Sequence, residues 1–325
     1  MSIENLIKIL GATLLNTPSI TKIDSIENDL SKVKNKTLFI AKNQADADIA
    51  IELGAYAILC DFDAKISDEE IAWLFVDDIE LSIKKLIRFR LIDLKIDALY
   101  TPDVEFEILH TIVDDERIIY LDNNIFENYK KVQNIYKDSI LISEDKKLLE
   151  DIYPKFKRLD ELDINDKDID LHIVKKSLFI TTLIYKNRYH ETLHISELFL
   201  KELKNSLKVI NYLNLEHDIV NIHPKKHFHP IFISDNLIIK SFGQTQRVLV
   251  VEEDIELFYE ELRYLKEHIK WARITSIEPK ENILNELLKI EVKKFNIILI
   301  KANYNEVIKS LKEHSTKEAP PLFME

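Results

Sequence analysis

The sequence predicts an α/β protein of two or three domains. Short apolar runs bounded by polar residues alternate along the chain with amphipathic stretches of helical period, a pattern typical of strands and helices in alternation. The chain has 325 residues, of which 46% are hydrophobic and 31% charged. That composition is enough to build more than one buried core and is not that of a disordered chain.

Residues 1–97 predict a compact amino-terminal α/β domain. The apolar run at 37–41 indicates a buried strand, and the helix expected at 46–53 ends before Gly54, a residue suited to the position just past a helix. The remaining expected elements are a strand at 55–60, a short helix at 68–72, a strand at 73–76 and a helix at 78–94.

Residues 98–229 predict a reduced central α/β segment with a β-hairpin. Residues 172–185 and 188–194 predict a β-hairpin around Lys186 and Asn187. Strands are expected at 117–121 and 139–142, and helices at 124–136, 144–153 and 196–213.

Residues 230–325 predict a carboxy-terminal Rossmann-like α/β domain. Helix-period patterns alternate there with strands, which favours a small parallel sheet with helices on both faces. Strands are expected from 230 onward and at 237–240, 247–251, 271–277 and 296–300, and helices at 254–270, 280–292 and 305–313.

Composition excludes several classes of function. The formal net charge is −12, so neither nucleic-acid binding nor binding to an anionic membrane surface is expected. No apolar stretch approaches the roughly 18–20 residues that a membrane span needs, and membrane insertion is not expected. Cys60 is the only cysteine, which fits a reducing compartment and predicts a cytoplasmic protein.

The three glycines, Gly11, Gly54 and Gly243, are isolated from one another. A loop that wraps phosphates uses glycines for positive φ and close backbone approach. No cofactor is therefore expected, nor a free-standing enzyme that consumes ATP or GTP.

Histidines form the densest unusual feature. His223, His227 and His229 could offer three imidazoles to zinc or nickel, which leaves a metal-dependent hydrolase as an alternative. The prolines at 224 and 230 break any helix that would align them, and a polar loop is the favoured interpretation. Residues 190–194 spell H-E-x-x-H, but the surrounding hairpin pattern favours a strand over a zinc-protease helix.

Two parts of the chain resemble the Mur ligases, which build the peptide of peptidoglycan precursors with ATP. The amino-terminal stretch has Asp24-Ser25, then the strand at 38–41, then a helix that ends in Gly54-Ala55. The tail has a strand at 296–300, a turn at 301–303 and a closing helix, similar to the last Mur domain. The subtype that adds a D-Ala-D-Ala dipeptide to the tripeptide precursor is the nearest match.

The chain departs from the Mur pattern at its functional loops. Residues 108–112, Ile-Leu-His-Thr-Ile, are expected in place of the family's Gly-Thr-Asn-Gly-Lys-Thr loop. Ile26 replaces an arginine, residues 43–46 replace the glycine-containing nucleotide loop, and Ala302 and Asn303 replace Gly and Ser.

The resemblance implies a non-catalytic bacterial relative of these ligases. It would bind a UDP-muramoyl precursor or a cell-wall synthesis protein as a scaffold or regulator. A residual peptide ligase that uses a partner's ATP site is a further alternative. The ligand-binding candidates flank the carboxyl ends of strands, where parallel sheets bind ligands. They are Asp24, Ser25, Lys42, Asn43, Gln44, Lys301 and Asn303.

Overall fold

The chain folds into two compact α/β units, each built from two segments of sequence. A computed structural model describes residues 1–162, 169–224, 226–280 and 282–318. Unit 1 consists of residues 1–101 and 116–161, and unit 2 consists of residues 102–115 and 162–325. The predicted α/β class is confirmed, whereas the three-way division at 97/98 and 229/230 stays a prediction.

A five-stranded sheet begins unit 1. Its four longer strands run parallel, and the short β1 pairs antiparallel with β5 at one edge. The strands, in spatial order, are β1 (Thr13–Leu14), β5 (Ala72–Phe75), β4 (Ala55–Cys60), β3 (Thr37–Ile40) and β2 (Ser25–Glu27). Three helices accompany this sheet: α1 (Ile3–Leu10), α2 (Gln44–Glu52) and α3 (Ile79–Leu91).

A second, fully parallel sheet completes unit 1. In spatial order it contains β7 (Ile118–Tyr120), β8 (Ile140–Ser143), β6 (Asp97–Tyr100) and β9 (Lys157–Arg158). Helices α5 (Ile125–Gln133) and α6 (Lys146–Ile152) pack on α3. One apolar core therefore joins both sheets of unit 1, from Leu6 and Leu38 through Leu86 to Leu141 and Leu149.

Unit 2 contains an antiparallel three-stranded sheet. Its strands are β10 (Leu171–Lys176), β11 (Thr181–Tyr185) and β12 (Arg188–Leu193). The predicted turn at Lys186 and Asn187 is confirmed, because both residues have positive φ and connect β11 to β12. The stretch predicted as one long first strand is instead two strands, separated by a turn in which Ser177 Oγ donates to the Ile180 carbonyl at 2.8 Å. Two helices of unit 2, α4 (Asp103–Ile112) and α7 (Leu200–Leu213), pack on each other.

The carboxy-terminal sheet of unit 2 is mostly parallel, as predicted. In spatial order its strands are β13 (His229–Phe232), β14 (Val248–Glu252), β16 (Ile297–Lys301) and β15 (Ile274–Ile277), with β13 antiparallel. Its helices are α8 (Ile255–His268), α9 (Ile283–Lys289) and α10 (Tyr304–Glu318). None of the helices in the described ranges is long and apolar enough to cross a bilayer.

Several predicted elements are wrong. The stretch 68–71 is a bend, in which the Asp68 carboxylate accepts the Glu70 N–H at 2.8 Å, and not a helix, while Ala72 already begins β5. The stretch 237–240 forms only an isolated antiparallel bridge, between Ile239 and Ile233, in place of a full strand. Leu237 has a φ of +60° and lies in a turn, where its N–H donates to the Ser234 carbonyl. Helices α1 and α4 and strand β6 were not predicted.

At Gly54, both the backbone conformation and the surrounding space disfavour a side chain. Its φ is +96°, and an added Cβ would overlap the Asn35 side-chain oxygen. Gly243 has a comparable φ of +73° but open space around it. We expect Gly243→Ala to lower the free energy of unfolding by about 1 kcal/mol through backbone strain, and Gly54→Ala by about 2 kcal/mol.

Urea denaturation of Gly54→Ala with and without Asn35→Ala separates the two contributions. In the Asn35→Ala background, Gly54→Ala should lower the free energy of unfolding by only about 1 kcal/mol, the cost of backbone strain that is also expected for Gly243→Ala. An unchanged cost in the Asn35→Ala background would contradict the overlap as the cause.

Candidate functional site

The carboxyl edge of the carboxy-terminal sheet gathers charged and amide side chains. Glu252 ends β14 and Lys301 ends β16, and the two residues pair directly across the parallel strands. Ligands of open α/β sheets bind outside this edge. In the described part of the chain no hydrogen bond or ion pair holds the Lys301 ammonium group, so this cation remains available to an anionic ligand.

Asn303 lies at the same edge but has structural partners. Its Oδ1 accepts the Asn305 N–H at 3.0 Å at the start of α10, and its Nδ2 donates to Glu253 Oε2 at 3.1 Å. The structure therefore brings Lys301 and Asn303 to one edge, as predicted. Their ligand-binding role stays a prediction.

A buried histidine lies between two carboxylates next to this edge. His227 is 3% exposed; its Nδ1 lies 3.0 Å from Glu252 Oε1, and its Nε2 lies 3.2 Å from Asp103 Oδ1. Backbone groups hold the Glu252 carboxylate in place, since the N–H of Phe228 donates to Oε2 at 3.2 Å and that of Asp254 to Oε1 at 2.8 Å. We call Asp103, His227, Glu252 and the neighbouring Glu261 the buried ionic cluster.

The two carboxylates keep His227 charged. Burial alone would favour the neutral ring, but hydrogen bonds to Asp103 and Glu252 and the charges of these groups outweigh it and raise the pKa of His227 to about 10. With Nδ1 hydrogen-bonded to Glu252 and Nε2 within ion-pair distance of Asp103, the imidazolium is the stable form. His227 is therefore a poor general base and a poor metal ligand, because each function needs an unprotonated ring nitrogen.

Glu261 of α8 adds a fourth ionisable group, which carries a proton. Its side chain is fully buried; burial, followed by the negative charge of Glu252, raises the pKa of Glu261 well above its ordinary value. Protonated, Glu261 can donate a hydrogen bond to Glu252 in place of repelling it. The buried ionic cluster thus gathers side chains from α4, the segment before β13, the end of β14 and α8.

Four histidines line a cavity of about 230 Å³ beside the buried ionic cluster: His194, His223, His227 and His229. Between ring centroids, His223 lies 4.9 Å from His229 and 5.4 Å from His194. The centroid of the His229 ring lies 4.1 Å from that of Tyr304. His194, which was not predicted as part of the group, lies beside His223.

The metal interpretation of His223, His227 and His229, the less favoured alternative to a polar loop, gains no support from the described residues. Both nitrogens of His227 face carboxylates, and within the described residues no group of three or more His, Cys, Asp or Glu side chains is arranged to hold a metal ion. The H-E-x-x-H stretch lies on β12 and just after it, which confirms the hairpin interpretation over the protease helix.

Lys42, Asn43 and Gln44 follow the carboxyl end of β3 in unit 1, as predicted. Asn43 Oδ1 accepts the Asp46 N–H at 2.9 Å and so caps α2. The Gln44 side chain makes two hydrogen bonds to the Lys65 backbone. Its Nε2 donates to the Lys65 carbonyl at 3.0 Å, and its Oε1 accepts the Lys65 N–H at 2.9 Å. Capping and loop closure account for both amides, while the exposed Lys42 has no such partner among the described residues.

Asp24 and Ser25 lie at the opposite edge of that sheet. The Asp24 N–H donates to the Lys36 carbonyl at 2.8 Å, and Ser25 Oγ lies 3.0 Å from Thr37 Oγ1, where the parallel strands β2 and β3 begin. The prediction that these two residues flank the carboxyl end together with residues 42–44 is wrong, because Asp24 and Ser25 precede their strand whereas residues 42–44 follow theirs.

Helix α4 occupies the place expected for the phosphate loop. Residues 108–112 lie inside this helix and not in a loop; only Thr101 and Pro102 connect β6 to its first residue. Three acidic residues lie in its first half: Asp103, Glu105 and Glu107. Lys226 Nζ lies 3.9 Å from both Asp103 and Glu107, and burial raises the pKa of Glu105.

Comparison with known proteins identifies the fold through structure alone. No family model matches the chain, and no curated protein matches its sequence. Among solved structures, the chain is similar to a MurF ligase from Thermotoga maritima in complex with ADP, with a TM-score of 0.54 at 14% identity, over 91% of this chain and 98% of that one.

A second similar structure comes from Acinetobacter baumannii. The UDP-N-acetylmuramoylalanyl-D-glutamyl-2,6-diaminopimelate–D-alanyl-D-alanyl ligase of that organism matches with a TM-score of 0.53 at 10% identity, over 98% of both chains. The chain therefore has a Mur ligase-like fold.

Proposed function

We propose that this protein is a non-catalytic Mur ligase-like protein that binds a peptidoglycan precursor, or an enzyme of cell-wall synthesis, as a scaffold or regulator. The fold supports the link to cell-wall chemistry, because one similar structure is a MurF ligase and the other is a ligase named for a UDP-N-acetylmuramoyl peptide. The acidic start of α4 supports the absence of ATP-dependent ligation.

The start of α4 disfavours a nucleotide phosphate. A helix amino terminus binds phosphate through free N–H groups and its positive dipole end. Here Pro102, which has no N–H, precedes the helix, and the carboxylates of Asp103 and Glu107 lie in its first turns. These carboxylates already interact with that dipole and would repel the negative charge of a triphosphate.

The carboxyl edge of the carboxy-terminal sheet supplies the cation for an anionic ligand. Lys301 Nζ is without a partner in the described residues, and the peptide of a muramoyl precursor carries carboxylates that it could bind. We expect Lys301→Ala to weaken binding of UDP-N-acetylmuramoyl-tripeptide about tenfold, as loss of one charge-assisted contact would. Isothermal titration measures this affinity, and Lys312→Ala, an exposed lysine on α10, is the matched control.

Four outcomes decide the proposal. ATP-dependent formation of a peptide bond by the protein alone would show a catalytic ligase, and ATP turnover only after mixing with another cell-wall protein would favour a shared ATP site. If the precursor does not bind and tagged protein captures no cell-wall synthesis enzyme, the binding role is refuted. Equal affinities of the Lys301→Ala and Lys312→Ala variants would move the contact away from this edge.

A further inference from the structure

A second cavity lies at the amino edge of the carboxy-terminal sheet. It has a volume of about 440 Å³, and the first residues of β14 and β16, Val248 and Ile297, form part of its lining. It is therefore at the opposite end of these strands from Glu252 and Lys301. We call it the amino-edge cavity. Its volume falls within the range of roughly 300–1,000 Å³ typical of small-molecule sites.

Four aromatic side chains line the amino-edge cavity. Phe232 packs against Phe242 at 4.8 Å between ring centroids and edge-on against Phe179 at 6.1 Å. Trp271 is the fourth; it is 72% exposed, and Phe242 is 47% exposed. Large aromatic surfaces left open at a concave site are typical of binding surfaces, because contact with a ligand would remove them from water.

One carboxylate accompanies these rings. Glu197 is the only charged residue among the described residues that line the cavity. The Tyr264 hydroxyl donates to its Oε1, and Lys176 Nζ lies 3.1 Å from its Oε2. The hydrogen bond from Tyr264 and the interactions with Lys176 lower the pKa of Glu197, so the group is ionised at neutral pH.

We propose that the amino-edge cavity binds a small organic cation with an apolar or aromatic body. Aromatic faces carry the negative part of the ring quadrupole and attract ammonium groups, and a fixed carboxylate adds a full negative charge beside them. The apolar side chains Ile180 and Ile269 complete a lining suited to the uncharged body of such a ligand. This site is independent of the precursor binding proposed above.

Lys176 provides an internal test of the charge argument. Its ammonium group pairs with the same carboxylate that would attract the ligand. Removing that ammonium group leaves Glu197 with less competing positive charge. If Glu197 recruits the cation, Lys176→Met should bind it more tightly, whereas a purely structural Lys176–Glu197 pair would make the same variant bind it more weakly.

The two tryptophans allow binding to be observed directly. Trp73 is fully buried in unit 1, whereas Trp271 lines the cavity. Three probes of similar size distinguish the effect of the ligand's charge from that of its apolar body. They are 2-phenylethylammonium, 2-phenylethanol and 3-phenylpropionate. Entry of the phenyl group displaces water around Trp271, and we expect a blue shift of its emission together with heat in a calorimetric titration.

We expect the ammonium probe to bind at least about tenfold more tightly than the alcohol, and the carboxylate probe to bind most weakly. Glu197→Gln should reduce the ammonium affinity to that of the alcohol, and Phe242→Ala should weaken both. In Trp271→Phe the heat should remain while the emission shift disappears. Circular dichroism checks that each variant is folded.

Several results would overturn the proposal. They are equal affinity for the ammonium and the alcohol, no binding of any of the three probes up to about 10 mM, weaker ammonium binding by Lys176→Met, and cation selectivity that survives Glu197→Gln. None of these results bears on the titration of the muramoyl precursor, so the two proposals fail separately.

Discussion

Replacing Glu252 with alanine should lower the free energy of unfolding of unit 2 by about 3–5 kcal/mol, the cost of removing one partner of a buried ion pair. The variant leaves the buried His227 imidazolium with Asp103 alone and removes the acceptor of the Phe228 and Asp254 N–H groups. Urea denaturation followed by far-ultraviolet circular dichroism measures the change.

The adjacent glutamate provides the control. Glu253 is exposed, and its carboxylate accepts one hydrogen bond, from Asn303 Nδ2. We expect Glu253→Ala to change the free energy of unfolding by less than about 0.5 kcal/mol. Similar losses in both variants would mean that the buried ionic cluster contributes little to stability.

Unit 2 should also become less stable as the pH rises. The pKa of His227 is about 10 in the folded state and 6.5 ordinarily, so the folded state holds a proton that the unfolded chain releases. This contribution is fully present below about pH 6.5 and is lost as the pH rises through about 10. In that window the free energy of unfolding should fall by up to about 1.4 kcal/mol per pH unit for this one proton.

Glu261 acts in the same direction. Its raised pKa means that the folded state keeps a carboxyl proton that the unfolded chain loses above the ordinary value of 4.5. Urea denaturation of the native protein and of His227→Gln between about pH 6 and about pH 9 isolates the histidine, because the variant should show the shallower decline. Parallel declines in the two proteins would exclude His227 as the cause.

His217→Gln serves as a comparison for the pH series. His217 Nε2 lies 3.1 Å from the Tyr185 hydroxyl, and this ring faces no carboxylate partner in the described structure. The variant removes a partly buried histidine without touching the buried ionic cluster. Because the buried ionic cluster is intact in this variant, it should keep the part of the decline that His227→Gln loses.

Local patterns were sufficient to predict most of the fold. The strand at Ala55–Cys60 was predicted with its observed bounds, because a continuous apolar run flanked by Gly54 and Asp61 suits a strand buried on both faces. The turn at Lys186 and Asn187 was found because its chemistry is local. Helix α4 was missed, since Glu105 and Glu107 are buried in it and obscure the apolar period.

The candidate site was harder to predict, because its parts come together only through the tertiary fold. Asp103 lies on an unpredicted helix, and nothing near His227 in sequence indicates that Asp103 and Glu252 surround it. Without knowledge of these two carboxylate partners, the histidine-rich stretch left a metal site open as an alternative to the favoured polar loop. Asp24 and Ser25 were misplaced for a related reason: the short strand β2, which begins at Ser25, was not predicted.

The division of each unit into two stretches of sequence has a consequence for synthesis on the ribosome. Residues 102–115 emerge early, yet they belong to the unit whose other residues are 162–325. The contacts of His227 with Asp103 and Glu252 cannot both form until Glu252 has left the exit tunnel, long after Asp103 has been synthesised. Until then the apolar face of α4, which includes Ile108 and Leu109, has no completed core to cover it, and such exposed apolar surface makes a nascent chain prone to aggregation.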